Sequence, residues 1–195
     1  MNLSGRLLCE VSIMIRIILF VLGTLFFLQV SRRALGNPAS HGFYRFFAFE
    51  AILILVLLNH PHWFQDPFSP LHCVSWLFLA AAIAFIVQSL FLLKKRGGFA
   101  EREDMPENHS FENTVNVVED GLYRYVRHPM YSSLLFLGWG AFLKNVTPLT
   151  ILLVLLVTGF IVAAARVEER ENIRFFGSHY REYMKRSRMF VPWLL

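Results

Sequence analysis

The feature that most limits how this chain folds is a series of apolar runs, each close to the length that crosses a bilayer. A transmembrane helix needs about 20 mostly apolar residues. Residues 13–30, 43–58, 71–93 and 147–165 supply four such runs. The first carries Arg16 near its start, the second carries Arg45 and Glu50, and the third carries no charge at all. A shorter apolar run, 130–143, lies before the last and reads as one arm of a helical hairpin with the run after Pro148. In hydrocarbon every backbone N–H and C=O must be satisfied within the protein, so these runs are helices. The expected fold is an all-α integral membrane protein with about five transmembrane helices, the last two forming a helical hairpin. Composition agrees: 55% of the 195 residues are hydrophobic and 17% charged. That excludes a disordered chain, a secreted disulfide scaffold and most cytosolic enzymes.

Charge placement sets the expected orientation. With five spans and the N-terminus outside, the inside segments are 31–45, 94–129 and 166–195, and they hold 16 of the 19 Lys and Arg residues. Only Arg6, Arg16 and Lys144 fall outside, which is a strong positive-inside bias. A net charge of +5 therefore reflects cytoplasmic loops and does not imply a nucleic-acid partner. Arg6 before the first apolar run resembles a signal peptide, but the run is long and Arg32-Arg33 follow it, as in an uncleaved anchor. Residues 1–70 are expected to add two N-terminal transmembrane helices. Residues 71–195 form the core, with cytoplasmic loop 94–129 and tail 166–195.

Those two polar segments are long enough to build a site, and both fall inside. The loop ends Asp120-Gly121-Leu122-Tyr123-Arg124-Tyr125-Val126-Arg127-His128-Pro129-Met130-Tyr131. Pro129 biases His128 out of the helical region and suits the first turn of the next helix. Arg127 and His128 would thus stand at a helix N-terminus, where an anion is favoured, although Arg and Tyr also anchor helices at lipid headgroups. In the tail, Glu169 has Arg166 three residues before it as a local partner, whereas Glu168 has no basic residue at helical spacing and is freer to meet a ligand. Gly177 ends that helix, Ser178 caps a second, and Tyr180, Tyr183, Lys185, Arg186 and Arg188 suit a helix lying on anionic lipid.

Taken in order, Gly-x-Tyr-Arg-x-x-Arg-His-Pro-Met-Tyr, an apolar hairpin, Glu168-Glu169, Phe-Gly-x-x-Tyr-x-x-Tyr and a closing Phe-Val-Pro resemble the isoprenylcysteine carboxyl methyltransferase family over roughly residues 71–195. The related phospholipid N-methyltransferases share the Arg-His-Pro-x-Tyr and Glu-Glu elements. The resemblance implies S-adenosylmethionine-dependent methyl transfer at the membrane surface to an amphiphilic or small lipophilic acceptor, whether carboxylate, thiol or amine. It implies cofactor-binding positions at Tyr123, Arg127, His128, Pro129, Met130, Tyr131, Glu168 and Glu169, with no metal. Such transfer requires mainly alignment and exclusion of water, so the lack of an obvious catalytic dyad is no objection.

Two other readings compete. NADPH-dependent membrane reductases of the sterol reductase type also carry Arg-His-Pro-x-Tyr, but usually as His-Pro-Asn-Tyr and with more spans. A non-catalytic membrane protein of the same fold is the other. Gly138-Trp139-Gly140 lacks a third glycine and a preceding strand, so it reads as a helix-packing feature. Glu50 is an intramembrane acid expected to pair with Arg45 or another helix. His60, His62 and His72 lie near an outer loop without a carboxylate frame, which is weak evidence for a metal. Glu101, Glu103, Asp104, Glu107 and Glu112 make the loop acidic without a mapped role.

Overall fold

The computed structural model describes residues 3–98 and 114–191. The acidic loop positions from Glu101 to Glu112 lie outside the described residues.

Among the described residues, six α-helices follow in order: α1 (Leu3–Leu35), α2 (His41–Asn59), α3 (Pro70–Arg96), α4 (Pro129–Phe142), α5 (Pro148–Phe176) and α6 (Ser178–Arg186). Four of them, α1, α2 (extended to His62), α3 and α5, are long and apolar enough to cross a membrane. This is an all-α, multi-pass membrane protein. The fifth segment, α4, has only 14 residues, about 21 Å at 1.5 Å per residue. Its C-terminal end reaches the end of the bundle where α3 starts. Ser75 near the start of α3 donates to the carbonyl of Gly140 at 2.6 Å, and His72 Nε2 lies 3.0 Å from the carbonyl of Lys144.

Local chemistry sets the helix starts. Proline occupies the opening turn of α3, α4 and α5, where its missing N–H would have had no partner. Ser69 caps α3 by accepting from the amide of His72, and Thr147 and Thr150 form a reciprocal capping box on α5. Gly177, at φ 64°, ends α5 and itself stands at the N-cap of α6, a place the sequence assigned to Ser178.

The packing is close because the facing residues are small. Ala48, Ala51 and Ile52 of α2 meet Val157, Ile161, Ala164 and Ala165 of α5. The pair of glycines on α4 serves packing, as expected: a Cβ at Gly138 would lie 3.0 Å from Val157, and one at Gly140 would lie 2.9 Å from Leu79 and 3.2 Å from the Ser75 carbonyl. So α4 is wedged between α3 and α5. It does form a hairpin with α5, yet its longer contact runs along α3, while α5 lies along α2. Outward residues such as Leu22, Phe26, Leu77, Ile83, Leu152 and Leu155 are exposed and apolar, as a lipid-facing surface requires.

Glu50 is held by its neighbour helix, its Oε2 accepting from Thr24 of α1 at 2.9 Å. Of His60, His62 and His72, His62 Nδ1 lies 2.9 Å from Gln65, and His72 lies 3.0 Å from the carbonyls of both Asp66 and Lys144.

Candidate functional site

Where α4 stops short, the chain turns through a 3-10 turn (Gly121–Arg124) and an extended stretch into His128. Gly121 at φ 57° makes the turn, and its Cα side faces Leu92 so closely that a Cβ would lie 2.8 Å from it. His128 has φ −123° and ψ 60°, outside the helical region, as the following proline dictates. The stretch is pinned by the tail beyond α6. The amide of Arg127 donates to the Arg188 carbonyl at 2.7 Å, that of Arg188 to Tyr125 at 2.8 Å, and that of His128 to Met189 at 3.2 Å. Ser132 Oγ donates to the carbonyl of Phe190, also at 2.7 Å. The tail is thus a brace for the stretch that carries His128, a role its sequence did not announce.

The helical spacing of the acidic segment then sorts its residues. Positions 168, 171 and 172 share one helix face, and Glu168, Glu171 and Asn172 all line a cavity of about 430 Å³. That is within the usual range for small-molecule sites. Glu169, one residue round the helix, does not line it. Its partner is not Arg166: Arg127 Nε donates to Glu169 Oε1 at 2.7 Å, with both side chains 10% exposed. Arg127 also donates to the carbonyls of Met184 and Ser187, so it ties the loop, α5 and the end of α6 together.

His128 sits between the two glutamates, with Nδ1 3.7 Å from Glu168 and Nε2 3.5 Å from Glu169. Its complete burial would lower its pKa, but the two carboxylates outweigh that and hold it above its ordinary value. The ring stacks on Tyr131 at 5.6 Å and packs against Phe190. Tyr131, Tyr123 and Tyr183 are buried, and the Tyr183 hydroxyl donates to the Tyr123 carbonyl at 2.5 Å. Burial pushes the hydroxyls of Tyr123, Tyr180 and Tyr183 up, so they stay protonated as donors.

Of the positions implied by resemblance, Tyr123, Arg127, His128, Pro129, Met130, Tyr131 and Glu168 line the cavity, and Glu169 stands behind it. The sequence reading missed the contribution of α2. His41, Arg45 and Phe49 form one wall, and His41 is locked to Glu171 by two bonds: its amide to Oε1 at 3.2 Å and its Nδ1 to Oε2 at 2.6 Å. The signal was present in the spacing, because positions 41, 45 and 49 recur every turn at the end of the second span that the charge count placed inside. Val30, Ile86, Leu93 and Leu134, from α1, α3 and α4, add apolar lining, and Thr114, Asn116, Val117 and Val118 line the cavity from the loop.

The chain is 36% identical over 72 residues to methanethiol S-methyltransferase 1 of Bradyrhizobium diazoefficiens, covering 37% of this chain and 25% of that protein. It is 31% identical over 122 residues to methanethiol S-methyltransferase 2 of the same organism, covering 62% of this chain and 44% of the relative. It is 33% identical over 72 residues to the methanethiol S-methyltransferase of Mycobacterium tuberculosis, covering 37% and 29% respectively. The chain therefore spans less than half the length of these curated relatives. No solved structure matches it. The model of the phospholipid methyltransferase family matches residues 71–179, which is more than half of the chain and runs from α3 through the loop, α4 and α5 into α6. The chain belongs to the phospholipid methyltransferase family.

Proposed function

We propose that this protein is a membrane methyltransferase that uses S-adenosylmethionine to methylate a small lipophilic or amphiphilic acceptor. The observation that carries the reading is the cavity itself. Its lining combines charged groups, Arg45, His128 and Glu168, with apolar ones, Val30, Ile86 and Leu134. A donor with a carboxylate, an ammonium group, a ribose and an adenine fits such charged groups. Arg45 offers a cation to the carboxylate, and Glu168 accepts from the amine or ribose hydroxyls. Tyr131 and Tyr123 supply ring faces, and Tyr123 a protonated hydroxyl. When bound, the donor supplies a methyl carbon made electrophilic by its sulfonium. The protein then has to hold the acceptor in line with that carbon and keep water away. Glu169 and Arg127 position His128 and, in this reading, do not touch the donor.

Among acceptor classes, a thiol is favoured because the relatives are named methanethiol S-methyltransferases. The acceptor reaches the apolar lining laterally from the bilayer, and the donor enters from the cytoplasm. The N-terminus lies outside, and the C-terminus with the cavity lies inside. Calorimetry on the detergent-solubilised protein tests the donor. S-adenosylhomocysteine is expected to bind at micromolar concentration and NADPH not to bind; the reverse would replace this reading with a reductase. Labelled donor with a panel of thiols, amines and carboxylates tests the acceptor. Membrane-impermeant labelling of single cysteines tests the orientation, and a cytoplasmic N-terminus would refute it.

A further inference from the structure

The C-terminal third of α5 has two faces with different surroundings. On one, Glu168, Glu171 and Asn172 line the cavity. On the other stand Arg166, Arg170 and Arg174, all exposed. Their spacing of four residues sets them in one row, a turn apart. None of the three side chains has an ion-pair or hydrogen-bond partner among the described residues. The acids at helical spacing are taken: Glu169, three residues after Arg166, pairs with Arg127, and Glu171, three before Arg174, is locked to His41. Arg170 has no acid three or four positions away on either side. Like charges a turn apart repel, so the row opposes its own helix until an anion meets it.

The row continues the surface that α5 turns to hydrocarbon. Leu152 and Leu155 are exposed on that surface, and Leu152 stands about five turns before Arg170, in the same direction. A helix needs about 20 residues to cross the hydrocarbon, and α5 has 29. Counted from Pro148, the crossing ends about where Arg166 stands, and Arg170 and Arg174 follow about 6 Å and 12 Å further on. The row therefore rises through the headgroup layer. The tail helix, by contrast, has its groups engaged: Lys185 lies 2.6 Å from Glu182, Arg186 lies 2.9 Å from Glu119, and Tyr180 and Tyr183 line the cavity. We propose that Arg166, Arg170 and Arg174 form a binding row for anionic phospholipid headgroups in the leaflet at the cavity end of the bundle. Each guanidinium presents a fork that matches two phosphate oxygens, and a headgroup with net negative charge offsets the repulsion along the row. A headgroup held there lies across one helix width, about 10 Å, from the carboxylates that line the cavity. This role is independent of the reaction in the cavity.

The test reconstitutes the full chain in phosphatidylcholine vesicles that carry a trace of spin-labelled phosphatidylglycerol or, separately, spin-labelled phosphatidylcholine. Electron spin resonance reads the fraction of each label immobilised by the protein. Phosphatidylglycerol is expected to be preferred at least about fivefold, the factor for one basic residue near an anionic surface, and to lose most of that preference in about 1 M salt. The triple change Arg166→Gln, Arg170→Gln and Arg174→Gln is expected to remove most of the preference, and replacement of all three by Lys to keep part of it. The control is Lys94→Gln, Lys95→Gln and Arg181→Gln, which removes the same charge from other exposed positions and is expected to keep most of the preference. Equal losses in the two glutamine variants would mean that net charge alone acts and would overturn the proposal. So would a parent protein with no preference, which would leave the row to an acidic soluble partner.

Discussion

Removal of the Arg127 guanidinium is the sharpest test of how the site is held. In Arg127→Ala the Glu169 carboxylate, 10% exposed, loses its 2.7 Å partner, and the carbonyls of Met184 and Ser187 lose a donor. Breaking a buried pair by removing one partner costs about 3–5 kcal/mol, because an uncompensated charge stays buried. For chains of this size each kcal/mol moves Tm by about 2–4 °C, so a fall on the order of 10 °C is expected. Arg127→Lys should lie between, since an ammonium lacks the fork that serves a carboxylate and two carbonyls together. The double change Arg127→Met with Glu169→Leu should recover part of the loss, since neither charge is then buried alone. Tryptophan fluorescence during thermal unfolding in detergent reads each variant, and calorimetry reads S-adenosylhomocysteine affinity alongside. A Tm for Arg127→Ala within about 2 °C of the parent, with affinity abolished, would refute the reasoning and place the guanidinium on the ligand.

Other perturbations separate binding from scaffolding. Glu168→Ala and His128→Ala should each weaken S-adenosylhomocysteine at least about tenfold, the loss of one charge-assisted hydrogen bond, while the protein stays folded; normal binding by both would void the site assignment. Gly121→Ala should destabilise by about 1–3 kcal/mol, because φ 57° and a 2.8 Å approach to Leu92 both oppose a Cβ, and a neutral result in thermal unfolding would contradict that geometry. Gly140→Ala should destabilise by a similar amount, about 1–3 kcal/mol, by pushing α4 off Leu79 and the Ser75 carbonyl. For pH, the folded-state pKa of His128 is raised above 6.5, so its stabilisation is complete below 6.5 and is lost as pH rises through the raised value. Tm should therefore fall towards alkaline pH more in the parent than in His128→Asn, and parallel curves would show that the cation adds nothing.

Much of the fold was legible because membrane solvation leaves few options: an apolar run of bilayer length has to be a helix, and proline and glycine mark its ends. The site was legible where a local rule acts. Pro129 forces His128 out of the helix, and that position holds. It was misread where partners are distant in sequence. Glu169 had Arg166 at helical spacing, yet it takes Arg127, 42 residues away, because Arg127 comes from an extended stretch that approaches α5 from the side. Likewise nothing near His41 points to Glu171, which is 130 residues on. The parallel pairing of Val126 with Arg188 was equally hidden, since one bridge leaves no strand pattern to read.

The short fifth segment explains why these distant pieces meet. Helix α3 has 27 residues, about 40 Å, whereas α4 beside it has 14, about 21 Å. Both reach the end of the bundle where Ser75 meets Gly140, so most of the difference falls at the other end. There α2, α3 and α5 continue past the start of α4 and leave a space between them. A longer α4 would fill it with its own backbone and side chains. Because Pro129 follows a residue held outside the helical region, the helix does not extend backwards, and the space is walled by the 114–128 loop and by Tyr180 and Tyr183 of α6. His128 enters this space from α4, Glu168 from α5 and His41 from α2. The charged groups thus stand near the ends of the helices that flank it, while Ile86 and Leu134, deeper along α3 and α4, make its inner wall apolar. A fold with five full-length spans would have no such recess, so the shortness of α4 is the feature on which the site depends.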